Sequence, residues 1–478
     1  MSTRESLPRA LRGVTPLGTL SPAASAARPS PDVDLTTPGL SLRSNFAWIL
    51  SGNVIYAICQ WGAIVALAKL GSSFMIGQFS LGLAIAAPVL MFTNLHLRAV
   101  QATDARRQYS FSEYLRLRTA MTLVGLAVIA GIVCIGDYTR QTALVILTVA
   151  LAKGIETLSD IHYGLFQLND RLDQCGQSMM LRGALSVIAV SAGLYFTRSV
   201  LCSCVFLALV WLAVLLFFDA RRGRRFVTAS HGNTRRTAGA GPFWHRQRIE
   251  RIGNLMRTAL PLGLATTMAA LNLNMPRYFI HSRLGEHELG IYSAMAYAAV
   301  PMILVSDSLG HSVIPRLSRL YLAGRFAEYR LLLFRMVAAG GALGLAGLAA
   351  AQLLGRRLLT LFYGSEYAAL SRTFVVLMLA AAIYCVACMF TSAVTSARCF
   401  RIQVPLYALV AGSNALACAF WVPSAGLAGG AAAMVVASTV HLVLGIATVG
   451  ALLWASAKQR PFSLWKPRTC VNEWEAML

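Results

Sequence analysis

Apolar residues in this chain come in long runs, not in the alternations of a half-buried strand or the stripes of a soluble helix. From Phe46 to Ala457 the runs recur at 18 residues or more. Each is long enough to cross the ~30 Å hydrocarbon core of a bilayer as a helix. The pattern predicts twelve spans, at about 46–69, 74–97, 119–136, 141–162, 178–197, 199–218, 258–280, 288–311, 333–354, 371–396, 403–422 and 426–456. The expected fold is all-α and polytopic, with about twelve transmembrane helices in two pseudo-symmetric six-helix lobes around a central cavity.

Composition agrees with that pattern. The chain is 57% hydrophobic and only 13% charged, with a mean hydropathy of +0.61. Its net charge of +23 comes almost wholly from arginine. In a soluble protein such a charge would suggest nucleic acid, but no stretch mixes basic and aromatic residues in that way. Basic residues instead mark cytoplasmic loops. With the N-terminus inside, 33 Lys and Arg fall on the cytoplasmic side and 7 outside, which places both termini in the cytoplasm. Residues 1–44 read as a disordered cytoplasmic tail without the apolar core of a signal peptide. Two six-span lobes follow, 45–219 and 258–456. They are joined by an arginine-rich linker over 220–257 and followed by a tail, 457–478.

Trp48, Trp61, Trp211, Trp421 and Trp454 lie near span ends and suit interfacial anchoring, although Trp61 also suits internal packing. Cys385 and Cys388 form a lone CxxC without a second ligand pair, so they read as small apolar side chains.

The halves repeat. LGSSFMIGQFSLGLAIAAP (70–88) aligns with LGEHELGIYSAMAYAAVP (284–301) with one gap. Gly77 meets Gly290, Ser80 meets Ser293 and Pro88 meets Pro301 at a constant offset of 213 residues, and Asn94 falls opposite Asp307. Two halves of six spans in equal orientation make a parallel repeat about an axis along the membrane normal.

Charges interrupt a few runs. Lys153, Glu156 and Asp160 lie within ~60° of one another on a helix. Each would cost ~2.5–3.5 kcal/mol facing lipid, so the stripe must face a cavity or partner helices. Asn274 and Arg277 share a face of the seventh span, and Asp307 and His311 share one in the eighth, where Asn94 and Arg98 stand in the other half. Two readings remain open at this stage. Lys153 can pair with Glu156, and Arg277 with Asp307 or Asp160, merely to hold the lobes; or these groups line a substrate or ion pathway. No GxxxxGKS, GxSxG or HExxH motif is present, so no enzyme site, metal site or bound cofactor is expected. Transport would then run on an H⁺, Na⁺ or substrate gradient, or be passive.

Several segments resemble one family. NMPRYFI (274–280), LGEHELGIYSAMAYAAVP (284–301) and SVIPRLSRLYLAGRFAEYRLLL (312–333) are similar to the second half of bacterial polysaccharide flippases. These are O-antigen translocase-like members of the multidrug/oligosaccharidyl-lipid/polysaccharide exporter superfamily. LLTLFYGSEYAAL (358–370), VPSAGLAGGAAAMVVAS (422–438) and SDIHYGLFQLNDRLDQCGQSMMLRG (159–183) extend the resemblance over roughly 45–456. It implies a bacterial inner-membrane flippase that turns a polyprenyl-pyrophosphate-linked oligosaccharide between leaflets. Polysaccharide polymerase and glycosyltransferases would be its partners, along with membrane lipid. The resemblance makes Arg277 the first pyrophosphate candidate and Lys153 the second. Glu156, Asp160 and Asp307 would contact sugar hydroxyls or carry a coupling ion, with Asn274, Asn94 and His311 beside them. A cation-coupled multidrug antiporter of the same superfamily is the alternative. A lipid II flippase is another, although related ones have fourteen spans.

Overall fold

A computed structural model describes residues 42–104, 109–234, 243–397 and 400–457. Every regular element among them is helical. In order they are α1 (Leu42–Leu70), α2 (Ser73–Asn94), α3 (Leu97–Thr103), α4 (Phe111–Ile135), α5 (Arg140–Leu168), α6 (Leu172–Thr197) and α7 (Val200–Ala213). Then come α8 (Arg221–Thr234), α9 (Phe243–Leu284), α10 (Glu286–Tyr297), α11 (Val300–Leu322), α12 (Phe326–Phe362), α13 (Ser365–Ala368), α14 (Ser371–Ser396) and α15 (Phe400–Ala457).

Nine of the described helices are long and apolar enough to cross a membrane alone. The pair α10 and α11, bent by 45°, makes a tenth span. α15 holds two spans, because Gly426 breaks its 58 residues at φ 57°. That backbone conformation is open to glycine at little cost. α9 completes the set of about twelve; Asn272, Asn274 and Arg277 make it more polar than the rest. The chain is a multi-pass, all-α membrane protein.

The real helices are longer than the apolar runs. α4 begins at Phe111 behind a Ser110–Glu113 capping box, α5 runs on to Leu168, and α6 starts at Leu172. The expected flexible linker is also helical in part. A π-helical stretch (Val214–Ala220) carries α7 into α8, so RRGRR lies on a helix. The expected tails, 1–41 and 458–478, and the middle of the linker lie outside the described residues.

Helices α1–α7 pack among themselves, as do α9–α15. The two sets meet chiefly through α2, which lies against α9 and α10, and through α1 against α11. The crossing of α2 and α10 is set by the repeat. A Cβ on Gly77 would overlap the carbonyl oxygen of Glu286, and one on Gly290 would overlap that of Ser73. The 213-residue offset, continued back, pairs Ser73 with Glu286. These are the first residues of α2 and α10. The contact is therefore reciprocal, residue for equivalent residue, as a twofold axis requires. Any side chain at either glycine would push the backbones apart.

Polar bonds surround this crossing. Thr142 donates to Glu286 Oε1 at 2.6 Å and accepts from Gln78 Nε2 at 2.8 Å. Trp61 Nε1 donates to the Tyr363 hydroxyl at 2.7 Å, and the Tyr278 hydroxyl donates to the Ala84 carbonyl. Trp61 thus packs between the lobes. Trp211 is not an interfacial anchor either: it is 1% exposed and donates to Ser186 Oγ at 2.8 Å.

Candidate functional site

The polar stripe of α5 sits against α1, α3, α4 and α6, and each of its acids is matched by cations. Lys153 Nζ lies 2.8 Å from Glu156 Oε2. On the other oxygen, Tyr56 donates at 2.5 Å and Arg182 stands at 4.0 Å. One turn on, Asp160 is held by Arg98 at 3.1 Å and by Arg118 at 3.3 Å. Arg118 also donates to the Asn94 carbonyl at 2.9 Å and to its side-chain oxygen. Behind the stripe, Arg182 meets Asp219 at 3.2 Å.

Aromatic faces complete the network. Arg98 and Arg182 lie 5.4 and 5.7 Å from the Tyr163 ring, and Lys153 lies 5.1 Å from the Trp211 ring. Thr122 and Thr157 bond at 2.9 Å. Lys153 also opens on a narrow crevice bordered by Gln60, Phe79, Leu83 and Trp211.

The network has two layers. Arg118, Arg182 and Asp219 are 0%, 2% and 0% exposed. The side chains of Lys153, Glu156 and Asp160 stay 25–29% exposed. Charged groups at this depth cannot face lipid, so the open layer faces the interior of the bundle.

The C-terminal lobe is built differently. Arg277 on α9 is 8% exposed. Its Nη1 donates to Asn274 Oδ1 at 2.5 Å, and its guanidinium lies 5.3 Å from the Tyr297 ring. Among the described residues no carboxylate lies within ion-pair distance, and its Nε–H has no acceptor. The pairing of Arg277 with Asp160 or Asp307, open from sequence, does not occur among the described residues, because Asp160 is taken by two other arginines. Lys153 with Glu156 does pair as the spacing allowed.

Asp307, half-buried on α11, shares a hydrogen bond with Cys388 but forms no ion pair among the described residues, and His311, one turn on, is exposed. Cys385 and Cys388 are buried, free thiols. No group of three or more His, Cys, Asp or Glu among the described residues is placed to hold a metal.

The expected spans leave Arg98, Arg118 and Asp219 in loops, because their edges fall where charges begin, and Arg182, although inside the span 178–197, is counted with the cytoplasmic segment before it. Arg118 and Arg182 are buried helical residues. Taking these two out of the cytoplasmic tally leaves 31 against 7, so the asymmetry stands. Tyr56 and Gln60, one turn apart inside the first run, carried the signal that would have placed α1 on the stripe.

No family model matches the chain. A curated relative, the capsular polysaccharide biosynthesis protein CapF of Staphylococcus aureus, is 26% identical over 326 residues, covering 68% of this chain and 78% of its own length. Among solved structures, MATE in complex with MaL6 matches with a TM-score of 0.59 at 13% identity, over 86% of this chain and 96% of that one. The lipid II flippase MurJ in an inward closed conformation matches with a TM-score of 0.58 at 10% identity, over 86% and 90%. The chain has the fold of MATE transporters of the MOP superfamily and of the lipid II flippase MurJ, and its likeness to a capsular polysaccharide biosynthesis protein agrees with the polysaccharide-flippase resemblance carried by residues 274–333.

Proposed function

We propose that the protein is a flippase that moves a polyprenyl-pyrophosphate-linked oligosaccharide repeat unit across the bacterial inner membrane for surface polysaccharide synthesis. The observation that carries this reading is Arg277: a buried guanidinium with no carboxylate among the described residues, facing the interior of a transporter fold. A free, planar, always-charged donor in a low-dielectric site is suited to a phosphate oxygen. The head group passes between the lobes while the polyprenyl tail stays in lipid. No covalent step is involved; the lobes rock about their twofold axis, and the protein is not an enzyme.

The basic-residue tally orients the molecule. It supports termini in the cytoplasm and an α2–α10 crossing at the outer end. The glycine crossing then supports a state closed to the outside, ready to load from the inner leaflet. An H⁺ or Na⁺ gradient supplies the drive, with Asp307 as the acid free to take the ion. Glycosyltransferases supply the substrate and a polymerase consumes it.

A cation-coupled drug antiporter is the second reading. Asp307, an acid without a cation partner among the described residues, is the observation in its favour.

Deletion in the native host tests the reading. Loss of surface polymer, with lipid-linked intermediates trapped on the inner leaflet and rescue by the wild-type chain, is expected. Unchanged polymer together with new sensitivity to cationic dyes would overturn it in favour of the antiporter. Rescue of a strain depleted of its lipid II flippase would instead move the substrate to lipid II.

A further inference from the structure

The α5 stripe and Arg277 differ in a way that divides a ligand between them. Glu156 is neutralised by Lys153 and Arg182, and Asp160 by Arg98 and Arg118. Such a wall exerts little pull on a free ion, since an ion would have to displace a cation from each acid. It still offers hydrogen bonds. A carboxylate has about four lone-pair sites, and the partners above leave some of them open. The Lys153 ammonium has three donors, of which Glu156 takes one.

Lys153, Glu156 and Asp160 lie within eight residues of helix, about 10 Å along the axis, or the length of about two pyranose rings. Their side chains are the open layer of an otherwise sealed network. A surface whose acids are each paired with cations, and which bears both donors and acceptors, suits polyhydroxyl groups. Each exposed carboxylate already has two cations beside it, so sugar hydroxyls can share its open lone pairs without breaking an ion pair.

We infer that the Lys153–Glu156–Asp160 face is a glycan subsite that takes the hydroxyls of the first one or two sugars, while Arg277 in the other lobe takes the pyrophosphate. The inference rests on the flippase reading and goes further by giving each lobe a separate part of the substrate.

The test compares two probes on the purified full chain: sugar-free undecaprenyl pyrophosphate, and the lipid-linked oligosaccharide extracted from host membranes. The wild type should bind the glycolipid more tightly than the bare lipid. In Glu156→Ala and Asp160→Ala that preference should fall about tenfold, the value of one or two lost hydrogen bonds to charged groups, while bare-lipid affinity does not fall, since each change frees cations and removes none. Glu156→Gln and Asp160→Asn keep the hydrogen-bonding shape and should keep most of the preference. Lys153→Met leaves Glu156 paired with Arg182, so it provides a stably folded variant; it should lose part of the preference.

A preference untouched in the Ala and Met variants would overturn the subsite. So would amide variants that fail to export while binding normally, because they would identify the stripe as an ion carrier. If the wild type binds neither probe, the flippase reading itself fails. If it binds both without preference, only the glycan subsite fails.

Discussion

At the α2–α10 crossing the two lobes are near copies: Ser73 and Gly77 on one side touch Gly290 and Glu286 on the other, each pair standing in for its equivalent. In what they bury, the lobes diverge. The N-terminal lobe holds Arg98 and Arg118 on Asp160 in one cluster, and Lys153 and Arg182 with Glu156 and Asp219 in another. The C-terminal lobe holds Arg277 and Asp307, neither in an ion pair among the described residues. Matched charges lower the cost of burial but leave little net field. An unmatched charge keeps that field for a ligand. The repeat thus preserves the α2–α10 contact, where both halves meet as equivalents, while the buried charges of the two lobes differ.

The crossing gives the largest expected effect. Gly290→Val or Gly77→Val places a side chain where the opposing carbonyl oxygen lies. The outer ends should then fail to close. Polymer export should fall by more than about tenfold, equivalent to well over 1.4 kcal/mol against the closed state. Cysteines introduced beside Gln78 should become reachable to an impermeant thiol reagent from outside. Normal export with unchanged labelling would mean that the lobes do not meet here in the working cycle.

The matched network comes next. Arg182→Met leaves Asp219 buried without its cation, which should destabilise the protein by about 3–5 kcal/mol. Adding Asp219→Leu should recover most of that loss in a thermal melt in detergent. If the double variant is no more stable than the single, the pair is not the structural member of the network. Substituting the more open Lys153→Met should disturb stability far less, because Glu156 retains Arg182.

The smallest effect is at the rim of the crossing. Trp61→Phe removes the donor to the Tyr363 hydroxyl at 2.7 Å but keeps the ring packed 4.6 Å from Phe362. One such bond contributes about 1 kcal/mol. Outside labelling of the closed state should therefore rise only severalfold, with export largely kept. A complete loss of export would place Trp61 in the ligand path.

Much of this organisation was legible in the sequence. Twelve apolar runs gave about twelve spans, and matched Gly77 and Gly290 marked the axis before any contact was known. Lys153, Glu156 and Asp160 were readable because a charge inside an apolar run has few explanations. Arg118 and Asp219 stand just outside the expected runs, and Arg182 close to the start of one, where a buried charge and a loop charge look the same. Only the packing of α4, α6 and the end of α7 around α5 separates the two cases. The partners of Arg277 were equally beyond the sequence. Asp160 and Asp307 both had the right chemistry, and three-dimensional placement alone shows that Arg98 and Arg118 occupy the first and that no ion pair reaches the second among the described residues. The helix over 221–234 was hidden by its charge, which lowers hydropathy without lowering helix propensity, since arginine is a good helix former.

The central claim is that an unmatched guanidinium in the C-terminal lobe receives the pyrophosphate. The direct measurement is the affinity of the purified chain for undecaprenyl pyrophosphate, in wild type, Arg277→Lys and Arg277→Ala, each checked for an unchanged melting temperature. The account predicts that Arg277→Ala loses about tenfold or more, the value of one charge-assisted contact, with Arg277→Lys between the two. Equal affinity in all three proteins would contradict it.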